Sequence, residues 1–176
     1  VRGTQRLVLV IGADIGIAKA LRLRNFTPDT TVKTTRAVAS ELPDAWYGYD
    51  GVDLVVLTTG GDEEDLVDLQ SNGRRWEALA EWVQMGGRLI ISIGKNGERL
   101  LAPGQPLTKL VPGEFRSVSR QRDTSELETF VGASERLDMS WRSLPRAEQG
   151  VPMTQLAKVR GLIVVAEGAG TSATPW

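Results

Sequence analysis

Three polar segments of the chain lie where an α/β domain carries out its chemistry, because each directly follows an apolar run. They are Gly12-Ala13-Asp14, Thr58-Thr59-Gly60-Gly61-Asp62 and Gly94-Lys95-Asn96-Gly97. In an open α/β sheet, ligands bind outside the carboxyl ends of the strands. We therefore expect the three segments to share one edge of a sheet. The candidate binding residues there are Asp14, Gly60, Gly61, Asp62, Gly94, Lys95 and Asn96.

Lys95 is the candidate catalytic residue of these segments. Its amine could attack a carbonyl group or form a Schiff base if burial kept it neutral. A lysine between two glycine-containing turns is more often exposed to solvent. The exposed alternative predicts no catalytic role for Lys95.

An acidic run, 62–65 with Asp68 after it, offers carboxylate oxygens of the kind that bind Mg²⁺ or Ca²⁺. Asp14, from the neighbouring segment, would add a further ligand. The spacing differs from that of an EF-hand loop, and acidic residues also favour the first turn of a helix because of its dipole. We favour the solvated alternative and assign no metal site.

The residue types that the chain lacks exclude several kinds of catalysis. It contains no cysteine and no histidine, so it has no thiolate nucleophile, no Cys-based zinc site and no Ser-His-Asp triad. Gly12-x-Asp14-x-Gly16 lacks the spacing of a dinucleotide-binding loop, and there is no Walker-type phosphate loop. We predict no cofactor. Hydrolysis by a pair of carboxylates remains compatible with the composition.

The charge balance bears on the kind of partner. The chain has 21 Lys and Arg against 22 Asp and Glu, a net charge of -1. Nucleic-acid surfaces normally show as a basic stripe, since phosphate contacts supply most of the affinity. The basic residues Arg116, Arg120 and Arg122 are followed directly by acidic ones, which indicates a solvated mixed face. We therefore expect a protein partner or a small ligand and no nucleic acid.

Trp46, Tyr47 and Tyr49 lie in a turn-rich segment that has neither helical nor strand periodicity. Aromatic side chains that no core pattern explains are candidates for a carbohydrate-stacking platform or a partner surface, and Trp82 and Trp141 are further candidates. Trp76 falls on the apolar face of a predicted helix, so we expect it in the core.

The elements that would position these residues follow from the apolar pattern. Short runs rich in β-branched residues predict four strands, at 6–11, 31–37, 52–58 and 88–93. An i, i+3, i+4, i+7 spacing from Trp76 to Val83 predicts a helix over 71–85, and a shorter helix is expected at 15–23. Strands alternating with helices of this length predict a mostly parallel, three-layer α/β sheet with helices on both faces.

The second half of the chain is less regular. Prolines mark a long connection after the fourth strand, and a strand is expected at 114–121. The segment 127–131 is compatible with helix or strand, and 161–166 predicts another strand. We expect one domain over 1–170, followed by a linker or truncated end at 171–176.

Over residues 6 to 97 the chain resembles the class I glutamine amidotransferase-like superfamily, whose sheet is flavodoxin-like. Active members carry a glycine-containing oxyanion loop after one strand and a G-x-C-x-G nucleophile elbow after the next. The corresponding places are Thr59-Gly60-Gly61 and Gly94-Lys95-Asn96-Gly97. Lys95 stands where the cysteine would be, and the partner histidine is missing. The resemblance therefore implies no glutaminase activity.

Two further segments are similar to the non-catalytic amidotransferase-like domains: Trp46-Tyr47-Gly48-Tyr49-Asp50 and Trp82-Val83-x-x-Gly86-Gly87-x-Leu89. Such domains occur in large, often membrane-anchored bacterial proteins. The resemblance implies a binding or interaction module of a larger bacterial protein, extracytoplasmic where that protein is anchored. The alternative that the residues leave open is a ligand- or metal-dependent enzyme that uses Asp14, Asp62 and Lys95 on a sugar or acyl substrate.

The chain has no apolar run approaching the roughly 18 residues of a membrane span and no signal-peptide pattern. We expect that it does not insert into a membrane. It begins at Val1 and ends at Trp176 after a stretch of small residues, so we expect a piece of a longer protein.

Overall fold

Four strands form a parallel sheet in the computed structural model: β1 (Thr4–Ile11), β2 (Thr30–Ala37), β3 (Leu54–Thr58) and β4 (Leu89–Ser92). The structure describes residues 4–13, 15–23, 30–60, 67, 70–132, 143–146, 148–161, 166–167 and 174–175. The strand order is β2-β1-β3-β4. The chain adds β2 on one side of β1 and then adds β3 and β4 on the other side, so the order of addition changes direction between β1 and β3. This is the order of flavodoxin-like sheets. The predicted α/β class with a mostly parallel sheet is confirmed.

The central strands β1 and β3 are buried on both faces, which explains their unbroken apolar runs. Val8 and Val10 of β1 form a cluster with Val56 of β3, and Ile17 and Leu21 of the helix α1 (Ile17–Leu23) pack against it. The residues that alternate with these valines face the other way and are also buried: Leu9, Ile11, Val55 and Leu57. Burial of each such side chain stabilises the fold by about 1.5–3 kcal/mol.

The second long helix, α2 (Gly73–Gln84), connects β3 to β4 and lies within the predicted 71–85. The β1–β2 and β3–β4 connections run in opposite directions across the sheet, and with the usual right-handed crossovers their helices would lie on opposite faces. Val83, expected on the buried stripe, is only half-buried, and Trp82 is buried instead. A Cβ at position 87 would overlap the Trp82 indole, so Gly87 provides the space for this ring.

Contacts divide the chain into two compact units. The first unit comprises 1–93 and 103–111, and holds the parallel sheet with three 3-10 helices, at Ala39–Glu41, Trp46–Tyr49 and Pro106–Lys109. The second unit comprises 94–102 and 112–176. Whether 1–170 folds as one domain stays a prediction.

The second unit is built on the antiparallel pair β5 (Glu114–Gln121) and β6 (Val151–Ala157). It also contains a 3-10 helix at Gly94–Asn96, the short helices α3 (Gly97–Leu100) and α4 (Ser125–Val131), and the two-residue strands β7 (Ala166–Glu167) and β8 (Thr174–Pro175).

The second unit contains some of the elements that the sequence predicts and others that it does not. The strand at 114–121 is present, and the ambiguous segment 127–131 is helical. β6 was not predicted, and the expected linker at 171–176 contains β8. Most of the strand predicted at 161–166 lies outside the described residues. None of the helices in the described residues has the length and apolar character needed to cross a membrane.

Candidate functional site

The carboxyl edge of the parallel sheet is where open α/β sheets usually bind ligands. β1, β3 and β4 are parallel, so the segments that follow them leave from one edge, as predicted. Gly60 lies there and is exposed. Asp14, Gly61 and Asp62 lie outside the described residues, as do the other acidic residues of the run at 62–68.

Two threonines at the end of β3 connect it to both neighbouring strands. The Thr58 hydroxyl donates to the carbonyl of Ala13 at 2.6 Å and lies 3.2 Å from that of Ile11. The Thr59 hydroxyl donates to the carbonyl of Ile93 at 2.6 Å. Both threonine side chains are fully buried. These hydroxyls therefore serve the backbone of the strand ends and face no open space.

Gly12 brings the end of β1 into close contact with β3. Its φ is +86°, and a Cβ at this position would overlap the carbonyl oxygen of Thr58. The Arg36 guanidinium donates to the Gly12 carbonyl at 2.9 Å. At the point where the strand order changes direction, at which flavodoxin-like sheets usually hold a ligand, the described residues Gly12, Arg36 and Thr58 lie against one another.

The predicted oxyanion loop has one of its backbone donors already engaged. The amide of Thr59 donates to the carbonyl of Ser92 at 3.1 Å, as part of the pairing between β3 and β4. An oxyanion hole needs amide groups directed at the position of the developing charge. The Thr59 amide is directed at the neighbouring strand.

Lys95 lies in the second unit, in the 3-10 helix at Gly94–Asn96, and is exposed. The nucleophile of an elbow occupies a sharp, strained turn. The described non-glycine residues with positive φ are Asn72 and Lys158, so Lys95 is unstrained. Burial, which an amine nucleophile needs to stay neutral, is also missing.

The glycines beside Lys95 have a packing role. The Thr154 hydroxyl, on β6, donates to the Gly94 carbonyl at 2.7 Å. A Cβ at position 97 would overlap the same threonine side chain. Gly97 therefore lets the turn lie against β6, which explains the glycine pattern around Lys95 without a catalytic role.

Two arginines of the basic cluster at 116–122 also form hydrogen bonds with backbone carbonyls. Arg120 donates to the carbonyls of Glu148 and Gly150, at 2.7 and 3.3 Å, and Arg122 donates to that of Arg146 at 3.0 Å. These guanidinium groups hold the segment that leads into β6.

A cavity of about 430 Å³ lies at the opposite, amino edge of the parallel sheet, entirely within the first unit. Residues 50–53 and 85–88 line it, together with the side chains of Arg6, Trp46, Tyr49 and Trp82. The 3-10 helix at Trp46–Tyr49, the end of α2 and the starts of β3 and β4 thus meet around one open space. We call it the amino-edge cavity.

The aromatic wall of the amino-edge cavity has a buried and an exposed part. Tyr49 is buried and packs against Trp82, with ring centroids 5.6 Å apart. Trp46 keeps 38% of its surface exposed, and Tyr47, which is 65% exposed, meets it edge to face at 5.9 Å. The buried Tyr49–Trp82 pair forms the inner part of the wall, which we call the floor, and the Trp46 ring at the rim is accessible to a ligand.

The Tyr49 hydroxyl is buried and makes no hydrogen bond within the described part of the chain. Burial raises the pKa of Tyr49 to about 12, although the positive charge of Arg75 acts in the opposite direction. The hydroxyl therefore stays protonated at physiological pH, and Tyr49 acts in the wall as a neutral ring.

Asp53 organises the charges at the start of the strands. Its carboxylate accepts the Leu7 amide at 2.8 Å and the Arg6 guanidinium at 2.7 Å. The Leu7 hydrogen bond and then the Arg6 hydrogen bond lower the pKa of Asp53, and Arg88 contributes a smaller lowering. Asp53 and Arg6 are therefore charged and paired, whereas Asp50 and Arg88 are exposed on the cavity lining.

Comparison with known proteins gives no match among family models, curated proteins or solved structures. The assignment of a site therefore depends on the geometry. In the described residues, no group of three or more His, Cys, Asp or Glu side chains could hold a metal ion.

The structure brings together only part of the predicted site. Trp46 and Tyr49 line the amino-edge cavity, and Tyr47 contacts Trp46. Sequence reasoning did not identify Met85 or the four charged lining residues as site residues; these are Arg6, Asp50, Asp53 and Arg88. A usable signal was present, because Asp53 and Arg88 directly precede two neighbouring parallel strands. Such residues must lie side by side at the amino edge.

Proposed function

We propose that this chain is a non-catalytic binding module with an amidotransferase-like fold, part of a larger bacterial protein. It binds its partner or ligand at the amino-edge cavity. The observation that carries the proposal is the composition of this cavity, where an exposed Trp46 stands beside the exposed charges of Asp50 and Arg88.

The residue types of the cavity support a binding role. Trp, Tyr, Met and Arg are enriched where proteins bind partners, because they combine a large contact area with polar groups that fix orientation. Met85 is 70% exposed beside Trp46 on the lining. Exposed side chains of these types cost solubility, so a grouped set indicates a surface with a function.

The chemistry of the chain supports the non-catalytic part. With no cysteine and no histidine in the sequence, the reactive groups left for covalent catalysis are lysines, hydroxyls and carboxylates. Lys95 is exposed and unstrained, and the two buried threonines donate to backbone carbonyls. These arrangements favour binding over group transfer.

A fragment screen by NMR tests the proposal. The indole N–H signals of Trp46, Trp82 and Trp76 report on the cavity rim, its floor and the core, respectively. We expect the fragments that bind to shift the Trp46 and Trp82 signals and to leave Trp76, which is fully buried, unchanged. Trp46→Ala, read through the remaining Trp82 signal, should abolish the response.

Phe130→Ala is the matched control, because Phe130 is an exposed aromatic residue of the second unit. It should bind the same fragments as the unmodified protein. The proposal is wrong if no fragment binds, or if the fragments shift signals around Thr59 and Gly60 and leave those of Trp46 unchanged.

A further inference from the structure

We infer that the ligand of the amino-edge cavity is a saccharide. This inference rests on the proposed binding function and adds the chemical class of the ligand. The charge, the hydrogen-bonding groups, the aromatic ring and the size of the cavity support it.

The charges on the lining sum to zero. Arg6 and Arg88 are positive, Asp50 and Asp53 are negative, and Arg6 is already paired with Asp53 at 2.7 Å. A phosphate or a polyanion would need a surplus of positive groups, and a quaternary ammonium ion would need a surplus of negative groups or a cage of several aromatic rings. The lining therefore favours a ligand without net charge.

The two charges left after this pairing act as opposite hydrogen-bonding partners. The Asp50 carboxylate only accepts hydrogen bonds, and the Arg88 guanidinium only donates them. A sugar hydroxyl both donates and accepts, so the hydroxyl groups of a sugar can bond to either side chain. Hydrogen bonds to charged groups are also stronger than those between neutral groups.

Trp46 supplies an apolar surface for the ligand. Its indole is exposed on the lining, and an aromatic face packs well against the C–H groups of a pyranose ring. The buried Tyr49–Trp82 pair lines the same cavity, and the contact between the two rings keeps this part of the wall in place. A sugar presents both the apolar ring face and the polar hydroxyl rim that such a lining requires.

The size and openness of the cavity agree with this ligand. Its volume of about 430 Å³ falls in the range of about 300–1,000 Å³ for small-molecule sites. The cavity is open to solvent, which leaves the remaining hydroxyl groups of a sugar hydrated. A purely apolar ligand would gain little there, because part of its surface would stay in water.

Titrations of the protein with neutral mono- and disaccharides test the inference, with the Trp46 and Trp82 indole signals as the readout. We expect at least one saccharide to shift both signals in a saturable way at millimolar concentration. Trp46→Ala should weaken this binding about tenfold or more. Asp50→Asn and Arg88→Gln should each weaken it several-fold, and Phe130→Ala should leave it unchanged.

Two negative results are distinguishable. If no saccharide shifts the Trp46 signal but nucleosides or other fragments do, the ligand class is wrong and the proposed binding function stands. If no compound of any class shifts it, both the inference and the proposed function are wrong. Unchanged saccharide binding by Trp46→Ala would also overturn the inference, since binding would then occur elsewhere.

Discussion

At the carboxyl edge of the parallel sheet, Thr58 and Thr59 donate to backbone carbonyls of the neighbouring strand ends. At the amino edge of the same sheet, Trp46, Asp50 and Arg88 remain exposed around a cavity. Both edges belong to the first unit and are formed by the same central strands. What differs is whether the polar groups at the strand ends are occupied by the protein itself.

This difference shows how a familiar pattern can mislead. Glycine and threonine after a buried strand are the residue types of a ligand-binding loop, and they are equally the types needed to join strand ends closely. Gly12 permits a close backbone approach, and the threonine hydroxyls satisfy carbonyls that the strands leave unpaired. Glycine and threonine at this position therefore predict close contacts between strand ends as readily as they predict a ligand-binding site.

The largest expected effect concerns the close approach at the carboxyl edge. We expect Gly12→Ala to lower the free energy of unfolding by about 2–5 kcal/mol. A positive φ costs a non-glycine residue about 1–2 kcal/mol, and the overlap of the new Cβ with the Thr58 carbonyl adds about 1–3 kcal/mol. Urea-induced unfolding followed by circular dichroism measures the loss.

Gly16→Ala is the control for this variant. Gly16 also has a positive φ, +77°, but an added Cβ would meet nothing within 4 Å. Its loss should be about 1–2 kcal/mol, the cost of the backbone conformation alone. Equal losses for the two variants would contradict a tightly packed carboxyl edge.

A smaller effect is expected for the hydroxyl at the end of β3. Thr58→Val keeps the volume of the side chain and removes the donor to Ala13, leaving a carbonyl without its partner. We expect a loss of about 1–3 kcal/mol in the free energy of unfolding. Thr35→Val, on the exposed part of β2, should stay within about 0.5 kcal/mol. If Thr58→Val cost no more than this control, the hydroxyl would not hold the edge together.

The smallest expected effect lies at the amino edge and depends on pH. The Leu7 amide and the Arg6 guanidinium lower the pKa of Asp53 in the folded protein. Its contribution to stability is therefore complete above the unfolded pKa of about 4, and is lost as the pH falls through the lower folded pKa. We expect Asp53→Asn to cost about 1 kcal/mol at pH 7 and progressively less below pH 4.

Unfolding curves recorded between pH 7 and pH 2 measure this convergence. Glu77→Gln is the control, because the Glu77–Lys109 pair is also close, at 2.6 Å, but both side chains are more than half exposed. Solvent screens such a pair, so its removal should change little at any pH. A cost of Asp53→Asn that persists unchanged at pH 2 would show that its charge is irrelevant.

Much of the first unit was predictable from the pattern of apolar residues. All four parallel strands and the helices α1 and α2 lie near their predicted positions. Buried central strands need continuous apolar runs, and α2 needs an apolar stripe. The second unit was less predictable. β6 consists of a half-buried sequence, 151–157, whose pairing with β5 is a long-range contact without a local signal.

The candidate site was predictable only in part. Trp46, Tyr47 and Tyr49 were predicted as binding residues because no periodicity explained them, and Trp46 and Tyr49 line the cavity. Arg6 and Arg88 are separated along the chain and resemble ordinary surface residues in the sequence. They come together because β1, β3 and β4 are parallel neighbours whose starts share one edge.

Composition and local pattern were sufficient for the α/β class, the strand and helix positions and the absence of cysteine and histidine chemistry, because these depend on residue types and on spacing along a few turns. The tertiary structure was needed to distinguish the two edges of the sheet. A hydroxyl or a glycine has the same local signature whether it contacts a ligand or a neighbouring strand. Only the tertiary structure shows that the Thr58 hydroxyl is bonded to the end of β1, and that Trp46 and Arg88, which are far apart in the sequence, line the same cavity.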